Sequence, residues 1–166
     1  VTIRLMQIQI DTREKSKAIQ KILKTFSDSG VSFFTSKLYV GDYMSLDNPR
    51  VVVDRKQSLL ELTQNVCQDH DSFRKELILA QESGSQFIIL VEHGKGIESL
   101  EDVFWWENPR RHQRVKKDGV WTDVDTKAMN GETLYKVCMT LRRKYGVQFK
   151  FCEKEETGKR IIELLS

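Results

Sequence analysis

A run of three valines ends abruptly in the charged triplet Asp54-Arg55-Lys56. A second acid, Asp42, lies on the other side of the turn-rich segment 47–50. If the residues flanking that turn pair as an antiparallel hairpin, the two carboxylates lie at the same end of it. Because residues i and i+2 of a strand share a face, Asp54 and Lys56 point the same way and Arg55 points to the opposite face.

Two carboxylates and an ammonium group at one sheet edge suit the hydrolysis of a phosphodiester. Asp42 and Asp54 would supply hard oxygen ligands for Mg²⁺ or Mn²⁺, and Lys56 would assist the attacking water or neutralise the developing charge. Arg55 would hold the carboxylates or the scissile phosphate in place. The spacing is that of the PD-(D/E)xK nuclease superfamily. Spacing alone leaves open a hairpin whose charged end is simply solvated.

The composition fits one soluble domain of ordinary size. The 166 residues are 39% apolar and 31% charged, and no apolar run is long enough to span a membrane. The first 14 residues alternate polar and apolar types, so they do not form a signal peptide. The three cysteines are odd in number and widely spaced, which favours reduced thiols over a zinc cluster or a disulfide framework. The net charge of +3 permits nucleic-acid binding but does not require it.

Hydrophobic periodicity predicts an alternating order of strands and helices in a single α/β domain, with a mixed sheet and helices on both sides. The segment 86–91 is continuously apolar, as in a central strand covered on both faces. Strands are predicted over 5–10, 31–40, 43–46, 51–55, 86–91 and 147–152, and helices over 16–27, a segment starting after Lys56, 73–82, 132–144 and 155–165.

Residues 105–127 fit neither period, and we predict a long basic insertion loop there. Long loops in compact domains are usually functional or disordered. Clustered cations beside tryptophans can bind phosphates and stack on an unpaired base, although surface loops of this composition are also common and inert. The candidate DNA contacts in this loop are Arg110, Arg111, Arg114, Lys116 and Lys117.

Several segments together resemble the XPF-type structure-specific endonucleases of the restriction-endonuclease-like superfamily. That family's signature is Gly-Asp, a spacer, Glu-Arg-Lys, three residues and Asp, and Gly41-Asp42 and Asp54-Arg55-Lys56 are similar to its first two parts. The segment 10–14 resembles the family's N-terminal Asp-x-Arg-Glu motif, and 72–77 resembles its Arg-Phe-(Arg/Lys)-x-Gln segment. The ending, 141–165, is also similar, so the likeness covers most of the chain apart from the insertion.

The resemblance implies a restriction-endonuclease-like fold over residues 1–166, with a mixed central sheet flanked by helices. It also implies metal-dependent cutting of branched DNA such as flaps and forks, with Asp11 joining Asp42 and Asp54 as a metal ligand. For each residue that the resemblance adds to the site, the alternative is an ordinary role on the surface or in a turn. The further candidates are Arg13, Arg74 and Lys75 for contact with the DNA backbone, and Glu14 as a more doubtful site residue.

Two departures from the family's signature stand out. Asp54 replaces the usual Glu, and Leu60 occupies the position of the closing Asp. Glu61 is adjacent, but one position on a helix is a rotation of about 100°, so it is only a doubtful substitute. Leu60 therefore points to weakened catalysis or to a dispensable residue.

The resemblance further implies a homodimer or heterodimer with no membrane association. A reducing intracellular location is expected, the nucleus in a eukaryote and the cytoplasm in a bacterium, archaeon or phage. The alternative is a catalytically silent DNA-binding or scaffold subunit, which only Leu60 favours. Such subunits typically lose the acids and the Lys together, and this chain keeps both. A sequence-specific restriction enzyme would share the core chemistry but cut intact duplex at a fixed sequence.

Overall fold

The computed structural model describes residues 6–94 and 96–166. The start of the first predicted strand, at Leu5, lies outside them. The strands are β1 (Gln7–Ile10), β2 (Ser32–Thr35), β3 (Tyr43–Ser45), β4 (Asn48–Lys56), β5 (Gln86–Glu92), β6 (His112–Lys117), β7 (Val120–Asp125) and β8 (Gln148–Cys152). The α-helices are α1 (Gln20–Asp28), α2 (Leu59–Cys67), α3 (His70–Glu82), α4 (Leu100–Val103), α5 (Gly131–Tyr145) and α6 (Thr157–Leu165), with 3₁₀ turns at Pro109–Arg111 and Lys154–Glu156.

Six strands form one mixed sheet in the order β2-β1-β3-β4-β5-β8. The β3–β4 hairpin is antiparallel and lies in the middle, while β4, β5 and β8 run parallel. The charged triplet therefore ends a strand that has paired neighbours on both sides. β6 and β7 form a separate two-stranded sheet.

Helices cover both faces of the six-stranded sheet, as the continuously apolar β5 predicts. Phe87, Ile89 and Val91 pack in one core cluster with residues of α2, α3 and α5. Ile88 and Leu90 pack in a second cluster with residues of α1 and α6. This mixed α/β architecture confirms the predicted fold class.

Local sequence explains where the site-bearing helices begin and end. The side chain of Ser58 accepts a hydrogen bond from the Glu61 amide and caps the N-terminus of α2. Asn130 caps α5 in the same way, through the amide of Thr133. α5 ends at Gly146, whose φ of 69° is the left-handed conformation that glycine adopts most easily.

The structure corrects three of the predicted elements. The strand expected over 31–40 is confined to β2, because residues 36–42 leave the sheet as an irregular segment. The central hairpin turns at residues 46–47, so Pro49 and Arg50 belong to β4 and not to the turn. The insertion expected to be a loop at 105–127 holds the 3₁₀ turn Pro109–Arg111 and the β6–β7 hairpin.

The sequence did carry a signal for that hairpin. Asp118-Gly119 joins β6 and β7, with φ values of 52° and 79°. An Asp-Gly pair between alternating segments is a strong sign of a two-residue hairpin turn. No helix among the described residues is long and apolar enough to cross a membrane.

Candidate active site

Gly41 sets the geometry of the site, because it brings the chain close against β4. Its φ is +71°, and a Cβ atom there would lie 2.1 Å from Val52 Cγ1. The next residue, Asp42, donates its backbone N–H to Val53 O at 2.8 Å. The tight approach places the Asp42 carboxylate beside the end of β4, as the hairpin pattern predicted.

Asp42 and Asp54 form an electrostatically strained pair within the fold. Both are buried, and Asp42 Oδ2 accepts the Arg55 backbone N–H at 2.8 Å. Burial, followed by repulsion from Asp54 and from Glu14, holds the pKa of Asp42 well above its usual range. A cation between the two carboxylates would relieve this repulsion.

Lys56 shares a face with Asp54, as predicted for residues i and i+2. Its Nζ lies 2.8 Å from Asp54 Oδ2 and 6.0 Å from the centroid of the Phe73 ring. Burial alone would lower the pKa of Lys56, but the neighbouring Asp54 more than offsets this and raises it. The ammonium group is therefore charged at neutral pH and is held at the cavity.

Arg55 points to the opposite face and is fully engaged with carboxylates. Its Nε and Nη2 donate to Glu14 at 2.7 and 3.2 Å, and its Nη1 donates to Glu92 at 3.0 Å. Tyr43 donates its hydroxyl to the same Glu14 at 2.6 Å. Of the two predicted tasks for Arg55, holding carboxylates and holding a phosphate, this geometry supports the first. Its backbone N–H also positions Asp42.

Asp11 has a different environment from the other two predicted metal ligands. Its Oδ1 accepts the Leu38 amide at 2.8 Å, and its Oδ2 accepts the Nε and backbone N–H of Arg13 at 2.6 and 3.0 Å. Asp11 does not line the cavity that Asp42 and Asp54 line. In this structure its carboxylate anchors the segment after β2, while Arg13 reaches the cavity rim, and the role of Asp11 as a metal ligand stays a prediction.

Helices α2 and α3 close the cavity with polar groups that the sequence analysis missed or doubted. Glu76 accepts the Gly41 amide at 2.8 Å, and burial followed by the charge of Asp54 raises its pKa. Glu61 accepts the Gln57 amide at 2.7 Å, and Asn65 lies four residues further along the same face of α2. Glu76 falls where the resembling family segment has Gln, which is the signal that could have revealed it.

The cavity measures about 350 Å³, and its lining includes buried oxygen atoms whose hydrogen bonding is incomplete. Three buried side-chain polar atoms in residues 6–94 and 96–166 lack a hydrogen bond, and two of them, Asp54 Oδ2 and Asn65 Oδ1, belong to residues lining it. Asp54 Oδ2 is paired with Lys56 Nζ at 2.8 Å, so Asn65 Oδ1 is the oxygen of this lining that is left without a partner within the described residues. Such an atom costs on the order of 1–3 kcal/mol, so its presence requires an explanation.

A hard divalent cation fits this donor set. Mg²⁺ and Mn²⁺ prefer carboxylate and amide oxygens, and they retain several waters when few protein ligands are present. Within the described ranges, no three His, Cys, Asp or Glu side chains form a ready metal-binding cluster. Of the groups that line the cavity, Asp42, Asp54 and the amide oxygen of Asn65 are therefore the candidate ligands, and they do not form a closed metal cage.

A larger groove of about 450 Å³ lies between α3 and α5, but its lining is mostly apolar. It includes Phe73, which also lines the cavity, and the predicted DNA contact Arg74. An active site needs converging polar groups, so the smaller cavity is the candidate site. Lys75 is exposed on α3 and lines neither.

The predicted basic contacts of the insertion are exposed, and two already have partners. Arg114 Nε lies 3.4 Å from Asp123, and Lys116 Nζ lies 6.0 Å from the Trp121 ring centroid. None of the five cations, Arg110, Arg111, Arg114, Lys116 and Lys117, lines the cavity.

Comparison with known families is decisive for the fold and the family. The model of the ERCC4 domain matches residues 10–165, nearly the whole chain. The chain belongs to the ERCC4 domain family. This confirms the XPF-type resemblance, and it places the protein in a family of structure-specific DNA nucleases that generally depend on divalent metal ions.

Solved structures agree with the ERCC4 assignment at the level of the fold. The domain is similar to XPF from Aeropyrum pernix, with a TM-score of 0.64 and 20% identity, and to the same protein in complex with DNA, with a TM-score of 0.62 and 20% identity. Each match covers 96% of this chain and 63% of the other, so the ERCC4 domain spans under two thirds of the length of those proteins. No curated protein sequence matches it significantly.

Proposed function

We propose that this ERCC4 domain is an active endonuclease that hydrolyses phosphodiester bonds in branched or flap-like DNA with Mg²⁺ or Mn²⁺. The observation that carries the proposal is the buried pair of carboxylates, Asp42 and Asp54, which repel each other in a cavity that also holds Lys56 and the unpartnered oxygen of Asn65. Burying these groups without a partner does not stabilise the folded protein, whereas a bound cation would supply the missing partner.

Asp42 and Asp54 would hold the ion, which supplies Lewis-acid stabilisation of the phosphate and an acidified water. Lys56 holds its charge on the same face and neutralises negative charge as it develops on the scissile phosphate. Arg55 acts indirectly: its backbone N–H fixes Asp42, and its guanidinium locks the end of β4 to Glu14 and Glu92.

The alternative of a silent scaffold subunit rests on Leu60. The structure places Glu61 at the cavity, although its carboxylate is engaged by the Gln57 amide. Asp42, Asp54, Arg55 and Lys56 are all present and line one cavity, so we favour the enzyme. The preference for branched DNA, the dimer and the reducing intracellular location are proposals that rest on the family.

The test is cleavage of end-labelled flap, fork and plain duplex DNA in Mg²⁺, Mn²⁺ or EDTA. Wild type should cut near the junction only with metal, and Asp54→Asn and Lys56→Ala should each reduce the rate by at least about 10²-fold. Binding to the same DNA in EDTA should survive both changes. Binding without cutting in either metal would support the scaffold, and Leu60→Asp would then be the first variant to examine for gained activity.

A further inference from the structure

Asn65 is the one uncharged side chain at the cavity with an unsatisfied buried oxygen. Its Oδ1 makes no hydrogen bond, and no other side-chain hydrogen bond of Asn65 occurs within the described residues. An amide that only filled space would turn its polar atoms towards water or a backbone partner. The position of this oxygen therefore indicates a contact with a bound cation or with a water that the cation holds.

Helix geometry explains how Asn65 reaches the site. Glu61 and Asn65 are one helical turn apart on α2, so they share a face, and both line the cavity with Asp42 and Asp54. Leu60 does not line it. Helix α2 therefore lines the cavity with Glu61 and Asn65, and position 60 has no part in it.

We infer that Asn65 is a further ligand or water-mediated contact of the divalent ion held by Asp42 and Asp54. This inference rests on the proposed function and extends it by one residue. An amide oxygen is a hard neutral donor, so it adds coordination without adding to the repulsion between the two carboxylates. The Asn65 oxygen, which has no hydrogen bond within the described residues, would then have a partner.

The opposite orientation of the amide gives a different expectation. If the buried atom were the NH₂ group, Asn65 would donate a hydrogen bond to a carboxylate and would have no part in metal binding. Asn65→Asp separates the two cases: it strengthens a metal ligand, but it places a third negative charge where a donor is needed. Asn65→Leu removes both functions while keeping a similar volume.

The experiment is Mn²⁺ binding without DNA, measured by the electron paramagnetic resonance signal of free Mn²⁺ and by the Mn²⁺-induced rise in melting temperature over EDTA. We expect Asn65→Asp to tighten binding and Asn65→Leu to weaken it, each on the order of tenfold. Gln64→Glu is the matched control, since it adds the same charge on the same helix at a residue that does not line the cavity, and it should change affinity by less than about twofold.

Two results would overturn the inference and leave the proposed function standing. One is Mn²⁺ binding that requires Asp54 but is unchanged in Asn65→Leu. The other is weaker Mn²⁺ binding in Asn65→Asp than in wild type. If wild type neither binds Mn²⁺ nor cuts DNA, the proposed function fails, and the inference fails with it.

Discussion

The molecule contains two hairpins of similar charge content and opposite environment. In β3–β4 the charged residues Asp54, Arg55 and Lys56 are each less than a tenth exposed, and the hairpin lies in the middle of the sheet. In β6–β7 every residue is exposed, and its cross-strand pairs His112–Asp125 and Arg114–Asp123 lie in water. The comparison shows that burial, and not the presence of ion pairs, gives a charged hairpin its energetic and chemical consequences.

The largest expected difference is in the unfolding free energy that Arg55 and Arg114 contribute to their respective hairpins. Arg55→Met would leave Glu14 and Glu92 buried without their cation, and we expect a loss of about 3–5 kcal/mol of unfolding free energy. Arg114→Met removes an exposed pair and should cost less than about 1 kcal/mol. Urea denaturation of both variants measures the difference. Similar losses in the two would show that the buried network is not stabilising the fold as described.

The two turn glycines give a comparison of backbone strain. Gly41→Ala forces a Cβ against Val52 and adopts positive φ, so we expect a loss of about 3 kcal/mol or failure to fold. Gly119→Ala also has positive φ, but nothing lies within 4 Å of its Cβ, so we expect about 1 kcal/mol. Thermal unfolding followed by circular dichroism gives both values. An equally mild effect at Gly41 would contradict the close approach to β4.

The ionised carboxylates of Asp42 and Asp123 should differ in how much they affect the stability of the fold. Because the folded-state pKa of Asp42 is raised, its ionisation destabilises the fold as pH rises above about 4, the usual carboxyl value. In EDTA, Asp42→Asn should therefore be more stable than wild type by roughly 1–2 kcal/mol at neutral pH, and the gain should shrink towards acid.

Asp123→Asn, on the exposed hairpin, is the control for that measurement. It should change stability by less than about 0.5 kcal/mol across the same pH range. Melting temperatures of wild type and both variants, taken from about pH 4 to 8 in EDTA, test the prediction. A destabilised Asp42→Asn protein at neutral pH would show that the carboxylate is well solvated or well paired without metal.

The smallest expected effect separates binding from chemistry. Charge reversal of the exposed hairpin, Arg114→Glu with Lys116→Glu, should weaken DNA affinity by about three- to tenfold in a salt-dependent manner and leave the rate at saturating DNA unchanged. Lys56→Ala should instead lower the rate at saturating DNA and leave the DNA affinity unchanged. Fluorescence anisotropy and single-turnover cleavage give the two quantities. An unchanged affinity in the hairpin variant would remove β6–β7 from the DNA interface.

Short-range pattern in the sequence was enough to predict the features that depend only on neighbouring residues. The alternation around Asp54 and Lys56 correctly predicted that their side chains share a face. The continuously apolar β5 correctly predicted a sheet covered by helices on both sides. Pattern did not reveal Glu76 or Asn65, because their approach to the cavity depends on how α2 and α3 pack on the sheet. Asp11 was grouped with the cavity carboxylates because segment 10–14 resembles the family's N-terminal motif, and only tertiary contacts show that the Leu38 and Arg13 donors engage it.

The contact between α1 and α6 has a consequence for synthesis of the domain. The two helices come from opposite ends of the described chain, and they approach so closely that a Cβ on Gly158 would lie 2.7 Å from Thr25 Cβ. The core cluster beneath them contains Tyr43 and Val53, on the strands that carry the site. On the ribosome, that face of the sheet is covered by α1 but not by α6 until residue 165 has emerged, so the hairpin that carries the candidate site is completed late in folding.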